Sequence, residues 1–276
     1  MKILVVGDLH GQKPRIYFKH FDAIIAPGDF CSDAPRKYMF QALRRNLENP
    51  KKKFELKDII GKRKAEQVEN ISIKDGKKIL EFLNSFNVPV FVVPGNWEPP
   101  TRKWNKMIKK LKNLKDLHFK KKSFDGTDFI GYGYVAGPEI PKYKEDRKIL
   151  TKKELDKEKR DYKKRKDRLL KLFKKSKSPI IFIPHNIPFN TSLDKITNKD
   201  SPRYGFHYGS VIAREIIEKY KPLLCIGGHM HEHFGKIKLG KTTVINAGFG
   251  RYVNILIDLD EKKGKIRKIT FKRGKK

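Results

Sequence analysis

Followed for its apolar positions, the chain opens on "KILVVGD", a short aliphatic run that ends in Gly-Asp. A run of this length without polar alternation reads as a strand buried on both faces. The plan recurs in "FDAIIAPGD", "VPVFVVPGN", "SPIIFIPHN" and "PLLCIGGH". In each, apolar residues give way to Gly or Pro and then to a polar residue that could ligate a metal. Between these runs the period becomes helical. Residues 36–48 and 73–86 read as amphipathic helices, the second with Ile79, Leu80, Phe82, Leu83 and Phe86 on one side. Residues 102–117 carry Trp104, Ile108, Leu111 and Leu114 at helical spacing. A highly charged helix is expected over 151–175, docked by Leu169, Leu170, Leu172 and Phe173, and another over 209–220 with Ser210 as its cap.

From residue 236 onward the alternation has period two and is broken by Gly turns, which predicts an antiparallel meander with a hairpin near Lys263-Gly264. The order of elements therefore gives an α/β class: a sheet with helical crossovers, then an antiparallel sheet packed beside it. No linker composition interrupts the chain. The expectation is one domain over 1–276 with basic helical insertions at about 32–80 and 139–177.

Composition narrows this picture. At 276 residues the chain can bury one substantial core. Its longest aliphatic runs are strand-sized, far short of the ~20 residues of a spanning helix, so no membrane association is expected. Met1 and Lys2 lead directly into the first strand without a signal-peptide pattern. Cys31 and Cys225 make neither a disulfide framework nor a zinc ribbon. A cytoplasmic location is expected. Abundant Lys, Glu and Ile with only Gln12, Gln41 and Gln67 as glutamines resembles a heat-adapted, thermophile composition.

Charge changes the list of partners. The chain has 65 Lys and Arg against 31 Asp and Glu, a net of +34. Residues 36–80, 102–122 and 142–177 hold net charges of +8, +9 and +11. Such a field attracts polyanions, which makes nucleic acid or a nucleotide an expected partner. Solvated helix faces would carry the same lysines. Nothing in the sequence sets the oligomeric state.

The strand-end residues are Asp8 and His10, Asp29, Asn96, His185, and His229 and His231. Crossovers in open α/β sheets bring such ends together along one rim. Any one Asp-x-His or His-x-His is a weak sign, because a strand-end His is commonly structural and an Asp after Gly commonly caps a turn. Five segments each offering a ligand form a donor set suited to a pair of divalent ions. Mixed carboxylate and imidazole favour manganese, iron, zinc or nickel over magnesium.

"GDLHG", "GD" at 28–29, "GN" at 95–96, "PHN" at 184–186 and "GHMH" at 228–231 resemble the motifs of the calcineurin-like metallophosphoesterases, in order, over roughly residues 1–248. "TSLD" at 191–194, "HYGS" at 207–210 and "INAGFG" at 245–250 are similar to loops of the family's archaeal and bacterial Icc-related branch. The resemblance implies an αββα sandwich: two packed mixed sheets flanked by helices. It also implies two divalent metal ions, manganese first among them. Asp8, His10 and His231 would bind one and Asn96, His185 and His229 the other, with Asp29 between the two. The implied chemistry is phosphoester hydrolysis by a metal-bridging hydroxide.

One motif departs from the pattern. Position 97 holds Trp where the family usually has a histidine that can protonate the leaving oxygen. An indole cannot exchange a proton near neutral pH. A lost general acid costs ~10²–10⁴-fold, most of it on poor leaving groups. The expected activity is therefore that of a phosphodiesterase rather than a phosphomonoesterase, on a nucleotide or nucleic-acid type of substrate. The alternative is a catalytically weak, metal-stabilised scaffold that binds nucleic acid or protein. Trp97 could pack the rim of the site, stack on a base or aryl group, or mark decayed activity. His207 is a candidate replacement acid, ahead of His118, His20 and His233. Arg203 and Tyr204 beside it, together with Arg251, are candidate substrate contacts.

Overall fold

A computed structural model describes residues 1–49, 52–201 and 203–275. Its first strands are β1 (Lys2–Val6), β2 (Ala23–Ala26), β3 (Val90–Val92), β4 (Leu114–Asp116), β5 (Lys121–Phe124) and β6 (Thr127–Tyr132). Then follow β7 (Ile180–Pro184), β8 (Leu224–Gly227), β9 (Gly235–Leu239), β10 (Thr242–Asn246), β11 (Val253–Asp260) and β12 (Lys265–Arg273). The helices are α1 (Arg36–Glu48), α2 (Leu56–Ile60), α3 (Lys62–Asn84), α4 (Thr101–Ile108), α5 (Lys144–Ile149), α6 (Lys152–Lys174) and α7 (Val211–Tyr220).

The strands form two six-stranded mixed sheets, ordered β12-β11-β1-β2-β3-β4 and β5-β6-β7-β8-β10-β9. Ile3, Val5, Ile25 and Phe91 of the first sheet meet Phe129, Ile181, Ile183 and Ile245 of the second. The alternate residues Leu4, Val6, Ile24 and Val92 face outward onto α3 and α4 through Ile79, Leu80, Leu83, Trp104 and Met107. On the far side, Ile130 and Phe182 pack against Leu169 and Phe173 of α6 and Ile212 and Ile216 of α7. The apolar runs are continuous because the central strands are covered on both faces. The architecture is the αββα sandwich. Among the described residues no helix is long and apolar enough to cross a membrane.

Three local expectations change. The helix expected over 102–117 stops at Ile108, and Leu114 opens β4. The edge of β3 recruits this segment: Val90 N donates to Asn113 O at 2.9 Å and Leu117 N to Val92 O at 2.8 Å. Backbone pairing of a buried edge outweighs a helical spacing of four apolar residues. The C-terminal strands make no separate antiparallel sheet. The β9–β10 hairpin extends the second sheet through parallel pairing of β10 with β8, whereas the β11–β12 hairpin pairs antiparallel with β1 in the first. Finally, α3 begins at Lys62, eleven residues before the expected start at 73; its first half buries only Ala65 and Ser72 and so leaves no apolar stripe in the sequence. The hairpin β5–β6, turning at Asp125-Gly126, has no counterpart in the apolar pattern read above. Other expectations stand as read: α1, α6, the Lys263-Gly264 turn, and the Ser210 cap, whose hydroxyl accepts from Ala213 N at 3.0 Å.

Candidate metal centre

Asp8, Asp29, Asn96, His185 and His229 each follow the C-terminal end of a parallel strand, so the two sheets deliver them to one rim. Tight turns are needed there. His10, Asp29 and His229 adopt positive φ of 42°, 55° and 65°. Strained backbone of this kind at non-Gly residues persists where the surroundings hold it, and it concentrates at functional sites. Gly28, with φ 121°, lets the loops close: a Cβ there would lie 2.6 Å from Gly95 N and 2.7 Å from His185 Nδ1.

The side chains fall into two clusters whose candidate ligand atoms lie within 4.8 Å of one another. Asp8, His10, Asp29 and His231 make one; Asp29, His185 and His229 make the other, with Asp29 common to both. His10 Nε2 stands 3.2 Å from His231 Nε2 and 3.5 Å from Asp29 Oδ2. His231 Nε2 is 3.2 Å from Asp8 Oδ2. Asn96 Oδ1 lies 3.0 Å from His185 Nε2 and 2.8 Å from His229 Nδ1. All seven expected residues meet in one place, with Asn96 beside His185 and His229.

Whether this set fits divalent metal can be tested on its buried oxygens. Asp8 Oδ1 is buried and accepts no hydrogen bond, and buried Asp29 Oδ2 has only the imidazole nitrogens of His185 and His10 nearby, at 3.4 and 3.5 Å. A buried carboxylate oxygen without a donor is costly unless a cation is held against it. Two carboxylates, an amide oxygen and four imidazoles also match the donors that divalent transition metals take. The site fits.

Electrostatics agree. Burial alone would lower His10, but Asp29, Asp33 and Asp8 outweigh it and raise the imidazole to about 10. His185 rises to about 9 in the same way, against its burial, through Asp29, Asp8 and the Pro27 carbonyl. Burial and the neighbouring His185 push His229 down to about 4. Asp29 stays well below the usual carboxylate range, since His185 and His10 overcome the cost of burying it. A cation held here would displace protons from His10 and His185.

Surrounding residues orient the ligands. His185 Nδ1 donates to Pro27 O at 2.8 Å, leaving Nε2 turned to the cluster. His10 Nδ1 lies 2.7 Å from Asp33 Oδ1, a partner the sequence reading did not name. Its only sequence signal was a third acid four residues beyond Asp29. Phe249 stacks on His231 at 4.3 Å.

Glu98 gathers backbone amides from two strand-end loops. Buried, it accepts from the backbone N–H of Gly95 (2.5 Å), Phe30 (2.7 Å), Asp29 (2.8 Å) and Cys31 (3.0 Å). Burial and then the charge of Asp29 push its carboxyl up, while these amides pull it down. Position 97 contributes its backbone, with Trp97 N donating to Asp29 Oδ1 at 3.0 Å. That contact is independent of side chain, so a tryptophan fits. The indole packs partly buried against the core of the first sheet, edge-on to His10 at 5.4 Å.

The other candidates stand apart. His207 Nδ1 lies 2.8 Å from Oδ1 of buried Asp194, and Tyr208 O accepts from Asn186 Nδ2 beside His185. No hydrogen bond or ion pair among the described residues joins His207 to the seven. Arg203 is paired with Asp146 at 2.5 Å, Tyr204 is 52% exposed, and the Arg251 guanidinium lies over Tyr252 at 5.4 Å. His118 accepts from Gly133 N, His233 donates to Lys195 O, and His20 is exposed.

Solved structures share this architecture. One crystal structure superposes with a TM-score of 0.65 at 18% identity, covering 99% of this chain and 98% of the other. The protein TT1561 of Thermus thermophilus superposes with a TM-score of 0.56 at 15% identity, with the same shares covered. A putative 5'-nucleotidase of Staphylococcus aureus, solved with α-ketoglutarate, gives 0.50 at 14% identity over 99% of this chain and 54% of that one. At these identities the likeness concerns the fold. No curated protein matches the chain in sequence. The family model for calcineurin-like phosphoesterases matches residues 1–233, and with the rim of Asp, Asn and His side chains described above, the chain belongs to that family.

Proposed function

We propose that this protein is a divalent-metal-dependent phosphoesterase that favours diesters over monoesters. The observation that carries the reading is the pair of ligand clusters sharing Asp29. Asp8, His10 and His231 would hold one ion, and Asn96, His185 and His229 the other, with Asp29 touching both. Manganese is the first choice, with iron, zinc and nickel open to the same donors. Bound there, such ions would lower the pKa of water and neutralise phosphate oxygens. The chain's own part is positional. Glu98 and the Trp97 amide fix Asp29, Asp33 and Pro27 fix His10 and His185, and the glycine turns let substrate approach the backbone closely.

The preference for diesters follows from what the rim lacks. Trp97 offers no transferable proton, and Glu98 is fully engaged by amides. Good leaving groups do not need the missing acid. Bis(4-nitrophenyl) phosphate should be hydrolysed with manganese; no turnover with manganese, iron, zinc or nickel, in protein shown to hold metal, would defeat the proposal. In Trp97→His, hydrolysis of alkyl monoesters should rise by up to ~10²-fold. Equal monoester rates in wild type and variant would show that the indole displaced no acid.

A second reading rests on α6. Arg160, Lys163, Lys164, Arg168 and Lys171, with Asp167 among them, form one shallow exposed face of the helix. On this reading the helix holds nucleic acid electrostatically. Single-stranded DNA should then bind the Asp29→Ala variant as well as wild type, and weaken steeply between roughly 50 and 200 mM salt. Salt-independent binding would count against it.

A further inference from the structure

A cavity of about 680 Å³ opens beside the metal centre, between α1, α2, α3 and the loop after β3. Its volume is that of a small-molecule site, for which about 300–1,000 Å³ is usual. The walls include Met39, Phe40, Leu43, Leu56, Ile73 and Trp97. Met39, Phe40 and Leu43 are 43%, 49% and 48% exposed and stand outside all three layers of the core. Large apolar side chains clustered at a surface mark a binding site more often than an accident of folding.

The polar side chains of the wall are mostly engaged. Asn46 bonds the Phe54 backbone through both its amide nitrogen and its oxygen. Ser72 donates to Ser32 O, Glu98 accepts from four amides, and Glu55 caps α2. Glu69 and Lys103 add one charge of each sign. A nucleobase would want free donors and acceptors along such a wall. A hydrocarbon would not.

The cavity is continuous with the centre. Asn96, which touches His185 and His229, and Trp97, edge-on to His10, line both. We propose that this cavity is the subsite for an apolar alkyl or acyl chain on the phosphoester substrate, with Trp97 as the wall the chain passes. The proposal rests on the phosphoesterase reading and narrows its substrate class.

Two measurements test it together. The first is calorimetric binding of octylphosphonate and methylphosphonate to the manganese-supplied protein. The second is kcat/KM for octyl and methyl 4-nitrophenyl phosphate. In each ester, water adds to phosphorus, the bond to 4-nitrophenolate breaks, and the alkyl phosphate is retained. A fully buried methylene is worth about fourfold. With the chain partly seated, the octyl-to-methyl ratio should be at least ~30 in binding and in kcat/KM. In Phe40→Ser combined with Leu43→Ser, both on a half-exposed face, the ratio should fall at least tenfold.

A wild-type ratio near one would overturn the proposal, and so would a ratio that the double variant leaves unchanged. A dimer, or adhesion to phosphatidylglycerol vesicles, that the double variant abolishes while the ratio stays near one would assign the face to a second copy or a membrane instead. Chain-length-dependent phosphonate binding without hydrolysis of any ester would keep the subsite and defeat the phosphoesterase reading alone.

Discussion

Asp29→Ala is expected to eliminate the proposed hydrolysis of bis(4-nitrophenyl) phosphate, lowering it by roughly 10³-fold or more, which corresponds to about 4 kcal/mol of transition-state stabilisation. The reason is geometric: Asp29 is the one residue common to both clusters, so one truncation takes an oxygen ligand from each. Its removal should also strip metal, seen by elemental analysis after dialysis. The fold should survive, since the carboxylate's one directed backbone contact is with Trp97 N. A variant that keeps its metal and one-tenth of the wild-type rate would remove Asp29 from the centre.

The same substitution has a signature in the metal-free protein. Asp29 leads the charges that raise His10 to about 10 and His185 to about 9, above the ~6.5 of an unfolded chain. Groups with raised folded values contribute stability that is complete below about 6.5 and lost as pH climbs through 9 to 10. Metal-free wild type should therefore lose thermal stability between pH 7 and 10. Asp29→Ala should flatten that slope. An identical slope in both would mean that other charges hold the imidazolium forms.

Glu98→Ala should destabilise the protein by about 3–5 kcal/mol, a large share of a typical 5–15 kcal/mol. Four backbone N–H groups, from Asp29, Phe30, Cys31 and Gly95, lose their acceptor inside the protein. Two of those amides belong to the turns that aim Asp29 and Asn96, so metal affinity should fall along with stability. Glu98→Gln keeps the shape but points an NH₂ at amide donors, and it should recover only part of the loss. Urea unfolding of metal-free protein reads the effect. A shift under 1 kcal/mol in the alanine variant would show that the amides find other partners.

Much of this site could be read before any coordinates. Asp8, Asp29, Asn96, His185 and His229 sit where an apolar run meets Gly or Pro, and a parallel strand places its C-terminal residue on the rim whatever else the fold does. Five strands, β1, β2, β3, β7 and β8, were legible for a similar reason. Burial on both faces leaves a mark of four or five apolar residues that surface chemistry does not erase. The part played by Glu98 was not legible. As an acid next to a metal motif it reads as chemistry, and only folding shows it bound to four amides from two loops.

The errors have a common cause. Leu111 and Leu114 fit a helix by spacing, yet the open edge of β3 takes 114–116 as β4, because pairing between residues 24 apart leaves no local pattern. The two C-terminal hairpins alternate alike, and nothing in their sequence says that one extends the second sheet and the other lies against β1. Asp33, ahead of α1, reaches His10, and Met39, Phe40 and Leu43 of α1 share a cavity with Trp97, because folding brings together segments that lie apart in sequence.

By itself, then, the sequence determined the cores of β1, β2, β3, β7 and β8, the seven rim residues and the basic surface, since burial and charge are written in residue type at each position. Tertiary structure alone decided the register of β4, the sheet each hairpin joins, the clamp made by Glu98, and the apolar cavity beside the centre. Those features depend on which distant backbone groups and side chains meet, and one-dimensional order leaves that choice to packing.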